Sequence, residues 1–331
     1  VTTARILIPP GIGDIYWVLV KLRAFLKSKG IDRAELTMVT DPHEHDSHLR
    51  ALPYLQMFDW FDVSDIVTVP NDRQNVDIWQ EAYLGPGRSI FENVQGYDYF
   101  LCYNGRINSG GFIETDELAC EWQPQMSPIA EKVINQYAAE YASLPSYFKD
   151  RPGQGYMVLF WPFYGDHLHT LADFSIKEIA EVLNAFRDRT RLIPIFIGAA
   201  FDKIYNTALQ DLVDLVPCSC NWTGELTLHE TLGLIKSAGM VTGYHSGITN
   251  LAAAMGVKTC LLWGDRYPST TSWAVVPPDS RGTNYLALES VGLAAETYFY
   301  TLAGLYGGPF IEKISPRPGD PWYKDPAIEG V

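Results

Sequence analysis

The stretch YHSGITNLAAAMGVKTCLLWGD, residues 244–265, sets a small polar turn before an alanine-rich helical pattern, closes that pattern with a glycine, and then runs apolar up to Gly264 and Asp265. A helix followed at once by a short buried strand is half of a βαβ unit. The helix is bare, with Ala252, Ala253 and Ala254 holding it close to a neighbouring strand. Its first-turn amides, beside Ser246 and Gly247, carry the positive end of the helix dipole, which suits a diphosphate. Gly247 lets the ligand approach, Ser246 offers a hydroxyl, Ile248 a first-turn amide, and Asn250 an amide group for a phosphate oxygen. A tight helix–sheet contact with no ligand would need the same small residues.

Working outward, the same alternation recurs on both sides. Upstream lie YMVLFWPF (156–163) as strand, FSIKEIAEVLNAFRDR (174–189) as helix, LIPIFIG (192–198) as strand and FDKIYNTALQDLVDL (201–215) as helix; LTLHETLGLIKSAG (226–239) is a helix with Gly239 at its end, and MVTGY a short strand. Nearer the start, ARILIPP (4–10) is a strand, GIGD (11–14) the turn that ends it, and IYWVLVKLRAFLKSKG a helix closing on Lys27, Lys29 and the stop Gly30. AELTMVTD (34–41) and DIVTVP (65–70) add strands, 71–125 holds one buried strand near YDYFLCYNG among long loops, and a helical pattern runs from Pro128 to Tyr141. PSYFKDRPGQG (145–155) looks like a connection, so the expected organisation is an N-terminal domain over 1–150 and a C-terminal domain over 151–331 with an irregular tail from Ser315. Strands alternating with helices argue α/β: two doubly wound parallel sheets, facing a cleft.

The totals narrow the partners. A chain of 331 residues, 47% hydrophobic, can fill two cores, and a formal charge of −14 repels nucleic acid and anionic membranes alike. The five cysteines are odd in number and scattered, and the Cys218–Cys220 pair lacks a second pair to complete a metal site. His43, His45 and His48 sit in a polar loop better read as solvated than as metal-binding. Pro9, Pro10 and Asp14 interrupt the one candidate for a secretory leader, and no apolar run reaches the roughly twenty residues of a membrane span. The expectation is a cytoplasmic protein, with peripheral membrane contact left open, no metal and no cofactor.

Residues 221–265, together with GIGD, resemble the family 9 glycosyltransferases, the ADP-heptose:lipopolysaccharide heptosyltransferases. The resemblance covers most of 156–265. It implies the GT-B architecture of two Rossmann-like domains, a nucleotide diphosphate sugar held by the C-terminal half, and a hydroxyl-bearing acceptor, such as a glycan, met by the N-terminal half. Asp14 would be the general base on the acceptor hydroxyl; the residue-level alternative is an acid that stabilises a helix start. Thr223 is a further donor-site candidate, and Gly13, Lys21 and Arg106 are acceptor-site candidates. Three departures stand out: His245 replaces the family's Asp before Ser-Gly; the phosphate-contacting Lys or Arg before a Trp-Pro pair is missing near PFYGDHLHTLADFS, where Phe174-Ser175 replace the pair and His167 or His169 is the cation candidate; and Ala200 stands where an acid holds the ribose, with Asp202 two positions on. The implied activity is inverting, metal-independent sugar transfer; a sugar-nucleotide epimerase and a non-catalytic nucleotide-sugar-binding module are the alternatives.

Overall fold

The computed structural model describes residues 1–40, 47–64, 66–68, 96–101, 118–147, 155–160, 175–200, 207–217, 219–244, 246–263, 277–280, 282–289 and 293–307. The chain divides into two compact units, Val1–Val133 and Ile134–Val331.

In the first unit, β1 (Thr3–Ile8), α1 (Ile12–Lys29) and β2 (Arg33–Thr40) form a parallel βαβ unit, followed by α2 (Ser47–Leu55) and the short strands β3 (Asp62–Val63), β4 (Val67–Thr68) and β5 (Tyr99–Phe100). The strands run parallel in the order β3-β2-β1-β5, with β4 also on β2. Ile6, Leu7 and Ile8 are fully buried, as a strand covered on both faces requires. α1 ends as its sequence predicts: Gly30 is left-handed at φ 65°, and the Ile31 N–H reaches back to the Leu26 carbonyl at 2.9 Å. The helix is buried from Asp14 to Leu22, and residues 121 and 122 bond to it. The Tyr16 hydroxyl donates to the Trp122 carbonyl (3.0 Å), the Glu121 N–H to the Val20 carbonyl (2.7 Å), and the Arg23 guanidinium lies over the Trp60 ring at 4.4 Å.

The division between units falls within α3 (Pro128–Tyr141). The second unit continues with β6 (Gly155–Phe160), α4 (Ile176–Thr190), β7 (Leu192–Ile197), α5 (Thr207–Leu215), β8 (Cys220–Asn221), α6 (Leu228–Ser237), β9 (Met240–Tyr244), α7 (Gly247–Ala254), β10 (Thr259–Trp263), β11 (Tyr285–Glu289) and α8 (Ala295–Gly307). Its sheet is parallel with the order β11-β10-β9-β6-β7-β8, so the first strand of the unit lies beside the second on one side and the fourth on the other. This is the doubly wound order, and its direction reverses between β6 and β9. One core, around Met157, Phe186, Phe196, Tyr298 and Leu302, fills one side of the sheet; another, around Val158, Ile195, Leu234 and Ala252, fills the other.

Two details differ from expectation. Gly239 is not a helix stop, because α6 ends at Ala238 in extended backbone. A side chain at Gly239 would meet Leu192 Cδ2 at 3.2 Å and Tyr306 Cε2 at 3.4 Å, so the glycine serves a close approach instead. The sequence pattern marks no element over 285–307, which holds β11 and the buried helix α8. On the amino edge of the sheet, Gly256 and Gly282 stand just ahead of β10 and β11, with nothing within 4 Å of where a side chain would go.

Candidate functional site

In an open parallel sheet, ligands sit outside the carboxyl ends of the strands where the strand order reverses, because the helices on either side diverge there. In the second unit that place is the carboxyl end of β6 and β9, and α7 begins directly after β9. Its start is held by its own residues. Ser246 Oγ accepts the Thr249 N–H at 3.3 Å, and Thr249 Oγ1 accepts the Ser246 N–H at 2.9 Å, a reciprocal capping box. Thr249 Oγ1 in turn donates to the Ser246 carbonyl at 2.9 Å, and the Asn250 N–H closes the first turn on that carbonyl at 3.0 Å. Among the described residues, the N–H groups of Gly247 and Ile248 have no acceptor. The cap therefore reduces the anion-binding amides to two, and directs the Ser246 oxygen lone pairs to the helix. Asn250 is 1% exposed, and the alanines after it are buried where α7 packs on β9 and β10. The sequence reading missed this box because Thr stands where Glu or Gln is usual.

The loop after β8 docks on the loop after β7. Gly224 N–H donates to the Gly198 carbonyl at 2.9 Å, Gly224 adopts φ +76°, and a side chain there would lie 3.0 Å from Ala200 Cα. Thr223 is 2% exposed; its N–H bonds Asn221 Oδ1 at 3.1 Å, while its hydroxyl has no hydrogen-bond partner among the described residues. Ser175, which with Phe174 replaces the Trp-Pro pair, caps α4 through a capping box with Glu178.

The first unit repeats the topology. β1 lies between β2 and β5, and α1 starts directly after β1, so Asp14 occupies the equivalent reversal point. Its helix has Gly11 at the cap position, with no side-chain cap bond, and Asp14 is the acid of the first turn. An acid in the first turn suits the positive end of the helix dipole. Asp14 is 7% exposed, Gly13 is half-buried, and Lys21, buried, lies seven residues along α1 on the same face as Asp14. Arg106, His169, Asp202 and His245 lie outside the described residues, as does His167. Among the described residues, no three His, Cys, Asp or Glu side chains are grouped to hold a metal ion, and no helix is long and apolar enough to cross a membrane.

No family model matches the sequence, and no curated protein matches it. Solved structures do. The chain resembles a family 9 glycosyl transferase from Veillonella parvula DSM 2008 (12% identity, TM-score 0.54, 93% of this chain and 92% of that one). It also resembles the ADP-heptose lps heptosyltransferase II of E. coli (13%, TM-score 0.55, 92% and 98%). E. coli heptosyltransferase WaaC with ADP-2-deoxy-2-fluoro heptose matches at 12% identity and TM-score 0.50, over 90% and 99%. At such identities the likeness establishes the fold: α/β, with the two Rossmann-like units of the GT-B class in one chain.

Proposed function

We propose that the protein is an inverting, metal-independent glycosyltransferase that moves a sugar from a nucleotide diphosphate sugar to an acceptor hydroxyl, in lipopolysaccharide or other glycan synthesis, in the cytoplasm. The observation that carries this reading is the start of α7: a helix of small residues, fixed by its own cap at the strand-order reversal, with the Gly247 and Ile248 amides left for an anion. The GT-B fold supports it, and so does the similar E. coli enzyme whose structure holds an ADP-sugar analogue.

In this reading the acceptor oxygen attacks the anomeric carbon of the donor sugar from the face opposite the diphosphate. The bond to the diphosphate oxygen breaks, its electron pair stays with the phosphate, and the configuration inverts. Asp14 takes the acceptor's proton, since a sugar hydroxyl is a weak nucleophile until that proton has a base to go to. Charge building on the leaving diphosphate is met by the two amides and the dipole of α7, whose stabilisation is already in place before reaction. A resident cation is not needed for that role, so turnover is expected to persist in EDTA. Calorimetric titration with ADP, UDP and GDP, followed by incubation of sugar nucleotides with and without acceptor, tests the whole reading. Product that requires acceptor supports transfer; altered nucleotide sugar without acceptor would make the protein an epimerase, and binding without product a non-catalytic module.

A further inference from the structure

The two helix starts assigned to the reaction are fixed differently. α7 holds its own first turn through the Ser246–Thr249 box, whereas α1 has Gly11 at its cap position, no side-chain cap bond, and Gly13 within its first turn. Helix ends fray, and a glycine in the turn adds to that tendency. The turn that carries Asp14 thus lacks the lock that α7 has. Tyr16 supplies a bond from outside the helix. It is fully buried, and its hydroxyl donates to the Trp122 carbonyl at 3.0 Å. Burial, with Cys120 nearby, pushes the phenol far above its ordinary range, so the proton it donates stays in place. Trp122 is itself anchored on both sides. Before it, the Glu121 N–H donates to the Val20 carbonyl at 2.7 Å and the Glu121 carboxylate pairs with Arg23 at 3.3 Å. After it, the Gln125 carbonyl accepts the Trp60 indole N–H at 3.0 Å, and the Ser127 N–H donates to the Met57 carbonyl at 2.8 Å. Helical side chains lean toward the N-terminus, so a bond made by Tyr16 acts on the turn of Asp14. The two residues stand about 200° apart around the helix axis, and the bond grips that turn from the side away from the carboxylate.

We propose that Tyr16 is a positioning residue for the reaction: its bond to the anchored Trp122 carbonyl fixes the first turn of α1 and with it the Asp14 carboxylate. The inference rests on the general-base reading of Asp14 above. A general base must stand within hydrogen-bond reach of the acceptor hydroxyl, and a misplacement of about 1 Å costs about a hundredfold in rate. Tyr16 touches no substrate in this scheme. Its loss acts on turnover through Asp14 and leaves the donor grip at α7 alone.

The test is Tyr16→Phe, which removes the hydroxyl and keeps the ring, made alone and in the Asp14→Asn background. Turnover is read as nucleoside diphosphate released from the donor and acceptor pair that gives product in the test above. Donor affinity is read by calorimetry with ADP, UDP and GDP, and the order of the turn by hydrogen exchange over residues 12–16. The expected result is turnover lower by roughly tenfold to a hundredfold, unchanged affinity for the diphosphates, and exchange roughly fivefold faster over that turn. In the Asp14→Asn background the second substitution should cost no further turnover. Arg23→Gln is the control: it removes an exposed anchor of the same segment two turns further along α1, and should lower the melting temperature while turnover stays near that of the parent. Normal turnover or unchanged exchange in Tyr16→Phe overturns the inference. So does an equal loss of turnover in both backgrounds or in Arg23→Gln, and so does unfolding of Tyr16→Phe, because each makes the bond structural. If Asp14→Asn lowers turnover while Tyr16→Phe does not, only this inference fails. If Asp14→Asn turns over normally, or no pair gives product, the general-base reading fails and this inference with it.

Discussion

Asp14 and Gly247 belong to different units and are assigned different halves of the reaction, so their substitution should separate turnover from donor affinity. Asp14→Asn keeps size and much of the hydrogen bonding but cannot take a proton; turnover should fall by roughly two to four orders of magnitude with donor affinity nearly unchanged. Steady-state kinetics beside calorimetry checks this, and near-normal turnover would remove Asp14 from catalysis. Gly247→Val should leave the fold intact and weaken diphosphate binding roughly tenfold or more, since the branched side chain stands beside the two open amides; equal affinity in a folded variant would place the donor elsewhere. Both residues were legible in the sequence because each follows a strand and opens a helix, a pattern that fixes position without any contact information. The docking of Gly224 was not legible, because it depends on the chain at Gly198 to Ala200, more than twenty residues upstream.

Among the elements, α6 and α3 meet without room to spare. A Cβ at Gly233 would fall 2.4 Å from Tyr137 Cβ and 3.0 Å from the Ala138 nitrogen. Alanine gains about 1 kcal/mol in helix propensity over glycine, whereas overpacking costs about 1–3 kcal/mol. The backbone atoms within reach cannot yield as a flexible side chain would, so Gly233→Ala should lower stability, read as a lower urea midpoint with an unchanged slope; a raised midpoint would show that the helices can part. Thr249→Val removes the oxygen that accepts the Ser246 N–H and should cost about 1 kcal/mol in the same measurement. Elements with a clear period were legible: α1, α4, β7 and β9 lie within a few residues of their expected bounds. β3, β5 and β8, of two residues each, are too short to carry a period. α8 is buried over Tyr298–Leu302 and again at Gly304 and Leu305, and a helix hidden nearly all round has no polar stripe by which to be recognised.

Over the whole molecule, charge and burial act together. With a formal charge of −14 the chain should retain no duplex DNA in a mobility-shift assay even at low salt, where any basic groove would be strongest. Burial keeps the Cys260 thiol neutral, pushed up from an ordinary 9.0 to about 12, and raises the Tyr156 phenol from 10.0 to about 12. A group harder to ionise in the folded chain adds stability that is complete below its unfolded value and lost as pH climbs through the folded one. Unfolding by urea should therefore become easier between roughly pH 9 and 12, and Cys260 should resist alkylation below that range while exposed Cys120 reacts. A flat stability profile across that range would contradict the burial. The second sheet also has a quiet edge. Every strand in it points the same way, so the turns at Gly256 and Gly282 lie at the end remote from α7's start, in open space. The chain should accept extra length there: a short epitope spliced in at Gly282 is expected to leave the nucleotide isotherm untouched, while the same epitope between Ser246 and Gly247 abolishes it. That edge is where a fluorophore, a surface tether or new chain termini could be placed without disturbing the donor.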